Sequence, residues 1–258
     1  MVLFFYIKMI MDYSSIVERI KPSIALIVNF NNKGQISSTG SGFVFSKNGI
    51  LATCNHVVEQ DAAIKIRFSD DETLLDAKVV IRDEEHDLAL LKFSDETRQP
   101  IPQAEISSVK EGMSVLFSGY PLRIFNLTTH QGILSAIIKD ATGITTFLID
   151  GTVNSGNSGC PLMNDKGEVI GIVNAKQRES SDTLTKVEEM TTGAVSLYGV
   201  DLINIYQALI SNVQLGIGYA VPCSYMPKHH EPKIVDVTKD IMEKTKNEDV
   251  NKGVIPKK

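Results

Sequence analysis

The sequence predicts an all-β fold: two six-stranded antiparallel β-barrels, with a short N-terminal helix and a helical insertion. Three observations carry that expectation. From Ser23 onward the chain falls into short runs rich in Val, Ile, Phe and Thr, separated by turn residues, which is the pattern of strands in a sandwich or barrel. The runs form two groups of six, parted by a polar, Pro-containing stretch over residues 94–112. Sheets of that size leave edges open to aggregation unless they close on themselves, which favours barrels.

Taken in order, residues 1–22 form an N-terminal segment. Its opening MVLFFYIKMIMD is apolar, but Lys8 interrupts it and no small-residue cleavage site follows, so it reads poorly as a signal peptide. It is also too short to span a bilayer. Two readings stay open: a start codon upstream of a natural first residue at Met9 or Met11, or an apolar segment that docks on a neighbouring subunit. YSSIVERI follows as a short helix that Pro22 ends.

Residues 23–105 are expected to form the first barrel, from SIALIVNF, GSGFVFS, ILATCNHVV, AIKIRFS, LLDAKVVIR and LALLKF. Residues 106–225 supply the second, from SVLFSGY, LTTHQGILSAII, TTFLIDGTV, CPLMN, VIGIVNAK and GIGYAVP. SKNG and NDKG, each between apolar runs, read as hairpin turns with Gly in the left-handed conformation. Between the last two strands an insertion over residues 177–215 is longer than a typical connection, and its VDLINIYQALI has apolar residues near helical spacing. Residues 226–258 are a polar, charged tail, expected as a surface helix or as disorder.

Net charge is −5 with no long basic block, so there is no electrostatic footprint for nucleic acid. Cys54, Cys160 and Cys223 are too few and too scattered for a disulfide framework, and none forms a CxxC pair. A reducing, cytoplasmic location is therefore expected, with the thiols packed as small apolar residues. Cys54 and Cys160 are expected to lie near each other, with a strained disulfide as the lesser alternative. No metal and no cofactor are expected: His229, His230 and Glu231 are adjacent in a polar tail and lack convergent geometry.

The stretch DGTVNSGNSGCPLMN raises the question of chemistry. A GNSG turn by itself is what any tight connection recruits. If Ser158 is a nucleophile, it needs a base to take its proton and a carboxylate to hold that base in one tautomer. His56 ends the apolar run ILATCNH, and Asp87 immediately precedes LALLKF, so both fall at the ends of buried strands. Asp83, Glu84 and Glu85 crowd the same loop, but Asp87 alone abuts the strand. Gly156, two positions before the serine, allows a turn that aims the N–H groups of Gly156 and Ser158 at one developing oxyanion. His86 is expected to point away into solvent, and His130 to be a packed strand histidine.

GSGFVFSKNGILATCNHVV, HDLALLKF, LTTHQGILSA, the Ser158 stretch and GIGYAVP, in that order over roughly residues 14–222, resemble the protease domain of the DegP/HtrA family of trypsin-like serine proteases. The resemblance implies a chymotrypsin-like double barrel in which His56 is the general base, Asp87 its orienting acid and Ser158 the nucleophile, with Gly156 and Ser158 as the oxyanion hole. It implies a protein or peptide substrate and a homo-oligomer, a trimer by analogy, assembled through the N-terminal segment. It places the pocket for the residue before the scissile bond between Thr152, Val153, Asn154 and Ser155 on one side and Val173, Asn174 and Ala175 on the other, with Gly216–Tyr219 beside them. None of these positions is acidic, so small aliphatic side chains are expected there.

The sequence also departs from the family pattern. Cys160 stands where a second glycine is usual, only a polar tail follows the second barrel so that no PDZ domain is expected, and the 177–215 insertion is longer than the family's loop. Many digestive relatives carry Asp before the nucleophile to pair with a freshly cut N-terminal amine. Asn157 cannot form that ion pair, so no such cut is expected. A reading from another class stays beside the protease: a peptide-binding or chaperone-like module with a resting, misaligned triad.

Overall fold

The structure, a computed structural model, describes residues 12–58, 63–175, 196–197, 200–201, 203 and 216–227. A short helix α1 (Ser14–Ile20) runs into a single 3-10 turn carrying Pro22, which cannot extend the helix. The first barrel comprises β1 (Ile24–Phe30), β2 (Ile36–Ser46), β3 (Ile50–Cys54), β4 (Ala63–Phe68), β5 (Leu75–Asp83) and β6 (Leu88–Phe93), closed in the order β1-β2-β3-β6-β5-β4. The second comprises β7 (Ser114–Gly119), β8 (Thr128–Lys139), β9 (Thr145–Asp150), β10 (Pro161–Met163), β11 (Val169–Asn174) and, after the insertion, β14 (Ile217–Pro222), closed in the order β10-β11-β14-β9-β8-β7. All these ladders are antiparallel. The architecture is the expected double barrel.

Both hairpin signals act as read. Asn48 and Gly49 have φ of 70° and 64° in the turn from β2 to β3, and Gly167 has φ of 75° in the NDKG turn from β10 to β11. Such turns match the twist of the strands they join. The 94–112 connection is pinned to both barrels: Ile101 N–H donates to Val44 O at 3.1 Å, and Val169 N–H donates to Pro102 O at 2.7 Å.

The first core is filled by Ile27, Phe43, Leu51, Ile66, Leu91 and Phe93, and it continues across the barrel junction into Leu116, Tyr120, Met163 and Ile172. The second is filled by Val115, Phe117, Leu134, Phe147, Ile149 and Ile170. Strand alternation explains the split along β7, where Val115 and Phe117 face the second core while Leu116 faces the first. The barrels are thus joined by an apolar seam. Leu91 lies between Leu51 and Val79 on the neighbouring strands and is fully buried. Leu91→Ala is expected to cost about 3–4 kcal/mol of unfolding free energy in urea titration, the usual sum of lost transfer energy and residual cavity.

Of the insertion, Ser196–Leu197 (β12) and Val200–Asp201 (β13) pair as a two-stranded antiparallel sheet. Val200 and Asp201, expected to open a helix, are strand residues instead, whereas Ile203, within the expected helix, is helical and buried. The rest of the expected insertion helix, residues 1–11 and the tail beyond Pro227 lie outside the described residues.

Candidate active site

The pairing of β3 with β6 puts Cys54 opposite Leu88. The residue two places after one and the residue just before the other therefore meet at the same end of the first barrel. These are His56, in a 3-10 turn over Asn55–Val57, and Asp87. Asp87 has φ of 54°, a left-handed conformation that Asp tolerates better than most side chains. Two backbone bonds tie it down: Asn55 N–H donates to Asp87 O at 2.9 Å, and His56 N–H donates to Asp87 Oδ1 at 2.9 Å. Asp87 Oδ2 lies 2.6 Å from His56 Nδ1. It also accepts from Asn174 Nδ2 at 2.8 Å, a bond that reaches across from the second barrel.

Facing a carboxylate oxygen, Nδ1 carries the ring proton, which leaves the lone pair of Nε2 free toward Ser158 Oγ at 2.9 Å. Ala175 N–H donates to the same Oγ at 3.1 Å, so the hydroxyl hydrogen is left to point at His56. Ser158 is buried, and the His56 and Asp87 side chains are only 18% and 26% exposed. The three side chains therefore form one continuous hydrogen-bonded line from carboxylate to hydroxyl.

Gly156 and Gly159 bracket the serine with φ of 96° and 87°. A Cβ on Gly156 would fall 2.3 Å from Tyr120 O, and one on Gly159 would fall 2.1 Å from Ser41 O, so neither position has room for a side chain. Ser155 O accepts from Leu122 N–H at 2.7 Å, and Asn157 O accepts from Cys160 N–H at 3.0 Å. In a trans peptide the N–H points opposite to the C=O. The N–H groups of Gly156 and Ser158 therefore face away from those anchors, and neither donates to any described residue. Leu122 holds φ of 55° while doing so, a strained conformation for a leucine. Asn157 is fully buried, and its side-chain amide has no partner among the described residues.

The seven residues expected to wall a pocket divide. Thr152 and Ser155 are exposed, and Val153, Asn154 and Ala175 are half-buried, the last with its N–H on Ser158 Oγ. Val153 packs over Gly218, where an added Cβ would lie 2.3 Å from its Cγ2. Val173 is fully buried in the second core, and Asn174 reaches to Asp87. Adjacent strand residues point to opposite faces, so these two could not both face one pocket. The reading missed the part Asn174 plays in holding the carboxylate.

His86 departs from expectation. It is not solvated: Nδ1 lies 2.8 Å from Asp83 Oδ2, and the ring stacks on Tyr225 at 4.0 Å. His130 stacks on Phe117 in the second barrel, and burial holds its pKa below the usual imidazole value. The three cysteines are free and buried, so no disulfide joins Cys54 to Cys160. Burial, and then the nearby Asp87 charge, push the Cys54 thiol far up; burial alone raises Cys160, and takes Cys223 to about 11. Such thiols are inert. Cys54, His56 and Asp87 do gather three potential metal-ligating atoms. His56 and Asp87 are already bonded to each other, however, and Cys54 donates to Val173 O.

A model of the trypsin-like peptidase domain matches residues 40–172, just over half of the chain. The chain is 34% identical over 199 residues to the serine protease Do-like HtrA of Lactobacillus helveticus, covering 72% of this chain and 48% of that protein. It is 37% identical over 143 residues to a "Probable periplasmic serine endoprotease DegP-like" of Marinomonas sp. strain MWYL1, covering 54% of this chain and 30% of the other. With the serine endoprotease DegS of Haemophilus influenzae the identity is 33% over 150 residues, covering 56% and 44%. The chain thus spans less than half the length of these curated relatives. Among solved structures, an HtrA-type protease, AlgW, with a tripeptide superposes with a TM-score of 0.63 over 91% of this chain and 64% of the other at 24% identity, a likeness of fold.

The relatives correct the expected cytoplasmic location, because DegP-like proteins of Marinomonas and Pseudomonas putida are named as periplasmic. The expectation rested on cysteine count, and three scattered thiols record only that no disulfide framework is built. No described helix is long and apolar enough to cross a membrane. Double barrel, hydrogen-bonded His56 and Ser158, and matching family model all agree: the chain belongs to the trypsin-like serine peptidase family, among relatives of the DegP/HtrA kind.

Proposed function

We propose that this chain is an extracytoplasmic serine endopeptidase in which Ser158 is the nucleophile, His56 the general base and Asp87 its orienting acid. The observation that carries the reading is the unbroken line from Asp87 Oδ2 through His56 to Ser158 Oγ, with contacts of 2.6 Å and 2.9 Å. In this reading residues 23–105 carry base and acid, and residues 106–225 carry nucleophile and pocket.

Ser158 Oγ attacks the substrate carbonyl carbon as its proton passes to His56 Nε2. The carbonyl oxygen, now an oxyanion, takes hydrogen bonds from the N–H groups of Gly156 and Ser158. Collapse breaks the C–N bond, and His56 returns its proton to the departing amine. Water then attacks the acyl-enzyme, gives its proton to His56 and releases the acid, with Ser158 regaining its hydrogen. Asp87, held by Asn174 and the His56 N–H, keeps the imidazole in the required tautomer and stabilises its charged form.

The substrate is an unfolded or flexible protein segment. Thr152, Val153, Asn154, Ser155 and Ala175 line the approach for the residue before the scissile bond, and none is acidic. A Lys or Arg side chain there would lose hydration without a compensating carboxylate, a cost of several kcal/mol. Small aliphatic residues fit better, with broad choice among them because one methylene is worth only about 1–3 kcal/mol. Mass spectrometry of the peptides released from a denatured protein is expected to show cuts mainly after Val, Ala, Ile and Leu. A dominant cut after Lys, Arg or acidic residues would contradict the pocket while leaving the triad intact. A homo-oligomer, trimeric by analogy, is part of the reading, and light scattering of the full chain tests it.

A further inference from the structure

We propose that Ser41, on the first barrel, is a positioning residue that steadies the oxyanion hole in the second by holding the peptides on either side of its donors. The proposal rests on the reading of Ser158 as nucleophile. Ser41 lies fully buried in β2, opposite Leu26 of β1. Its hydroxyl takes part in two bonds: Tyr120 N–H donates to Oγ at 2.9 Å, and Oγ donates to Gly156 O at 2.7 Å. Because the Tyr120 N–H can only donate, the single hydroxyl hydrogen belongs to Gly156 O. The Ser41 backbone N–H donates to Ser158 O at 2.9 Å, and Ser41 O accepts from Thr53 Oγ1 at 2.7 Å.

Four consecutive carbonyls of the nucleophile loop are thereby held. Ser155 O is held by Leu122 and Asn157 O by Cys160, and these two bonds aim the N–H groups of Gly156 and Ser158. Gly156 O and Ser158 O, on the alternate peptides, are both held by Ser41. Glycine opposes rotation weakly, so a loop with φ of 96° at Gly156 and 87° at Gly159 has little intrinsic reason to keep its peptides aligned. Ser41 restrains the two intervening peptides by their carbonyls, while Asn154 O and Val173 O accept from their Asn157 and Gly159 N–H groups at 2.9 and 2.8 Å. A Cβ on Gly119 would fall 2.6 Å from Ser41 Oγ, so the hydroxyl is packed against β7 in the orientation that serves Gly156 O. In this arrangement the first barrel supplies the base and acid and also braces the loop that carries the hole, through a buried residue.

The test compares wild type with Ser41→Ala and Ser41→Cys, the latter keeping the shape and a weaker donor. Each is measured for kcat and KM on a denatured protein substrate, and for affinity to a peptide aldehyde ending in valine. Ser158 Oγ adds to the aldehyde carbon, and the resulting hemiacetal oxygen occupies the hole. Ser41→Ala is expected to lower kcat by about 10–100-fold, below the loss from deleting a hole donor outright. KM is expected to stay within about twofold, and aldehyde affinity to fall by the same factor as kcat/KM. Ser41→Cys is expected to fall between. Unchanged kcat, a raised KM with kcat intact, or aldehyde affinity that does not follow kcat/KM would each overturn the proposal. So would failure of both variants to fold, which would make Ser41 a folding element only. A wild type that neither turns over substrate nor binds the aldehyde would overturn the nucleophile reading itself, a result distinguishable from the others.

Discussion

Ser158→Ala is expected to abolish turnover, by about 10⁵–10⁶-fold in kcat, while leaving the fold intact. His56→Ala is expected to do the same, and the double variant should be no worse than either single one, because nucleophile and base act as a unit. The reason lies in the hydrogen-bond order. With Ala175 N–H already donating to Oγ, the only described acceptor for the Ser158 hydrogen is His56 Nε2, and removing either group breaks the same proton path. Steady-state rates on an unfolded protein, with thermal melts as the control for folding, check it. A His56→Ala variant with near wild-type activity would show that another base serves Ser158.

Gly156→Ala carries the second large effect. The added methyl would meet a backbone carbonyl oxygen, that of Tyr120, at 2.3 Å, and no rotamer change relieves a contact between a Cβ and a backbone atom. The left-handed φ of 96° adds strain for any side chain. The turn must therefore move, and the Gly156 N–H moves with it. Loss of one oxyanion donor costs about 10²–10³-fold in kcat. Gly156→Ala is expected to lose at least that much and to lower stability by more than about 1 kcal/mol. Retention of both activity and melting temperature would mean that the Gly156 N–H is not aimed at a reacting oxygen.

The barrels were legible because their strands announce themselves as apolar runs parted by turn residues, and because two sets of six leave closure as the economical solution. Less legible was the start of β2 at Ile36: its first residues, ISST, are exposed to half-buried and hold a single apolar side chain, although they pair with β1. In the insertion the expected helix begins too early, since Val200 and Asp201 pair with β12 while Ile203 is helical, and a two-residue pairing leaves no periodicity to read. His56 and Asp87 could be found because each sits beside a strand end and the pairing of those strands brings them together, and Ser158 because Gly156 and Gly159 mark its turn.

What local sequence could not disclose is contact between barrels. Nothing around Asn174 announces a bond to a carboxylate 87 positions away, and nothing around Ser41 announces a bond to Gly156, 115 positions on. Those contacts exist only once the apolar seam has joined the barrels. One error was avoidable: assigning both Val173 and Asn174 to a pocket wall ignores that neighbours on a strand face opposite ways. The expected solvation of His86 failed for the same reason as the missed contacts, since Tyr225, its stacking partner, lies far along the chain.

The central claim is that Ser158 is a nucleophile activated by His56, and a fluorophosphonate probe tests it most directly. Attack by Ser158 Oγ displaces fluoride from phosphorus and leaves a stable adduct on that oxygen, so the reaction reports activation and a formed hole without requiring the right substrate. Peptide mapping after labelling is expected to place the adduct on Ser158 in the wild type, with labelling lost in His56→Ala. Absence of an adduct on Ser158, even with an unfolded protein present as activator, or equal labelling in His56→Ala, would contradict the account and favour a peptide-binding module with a resting triad.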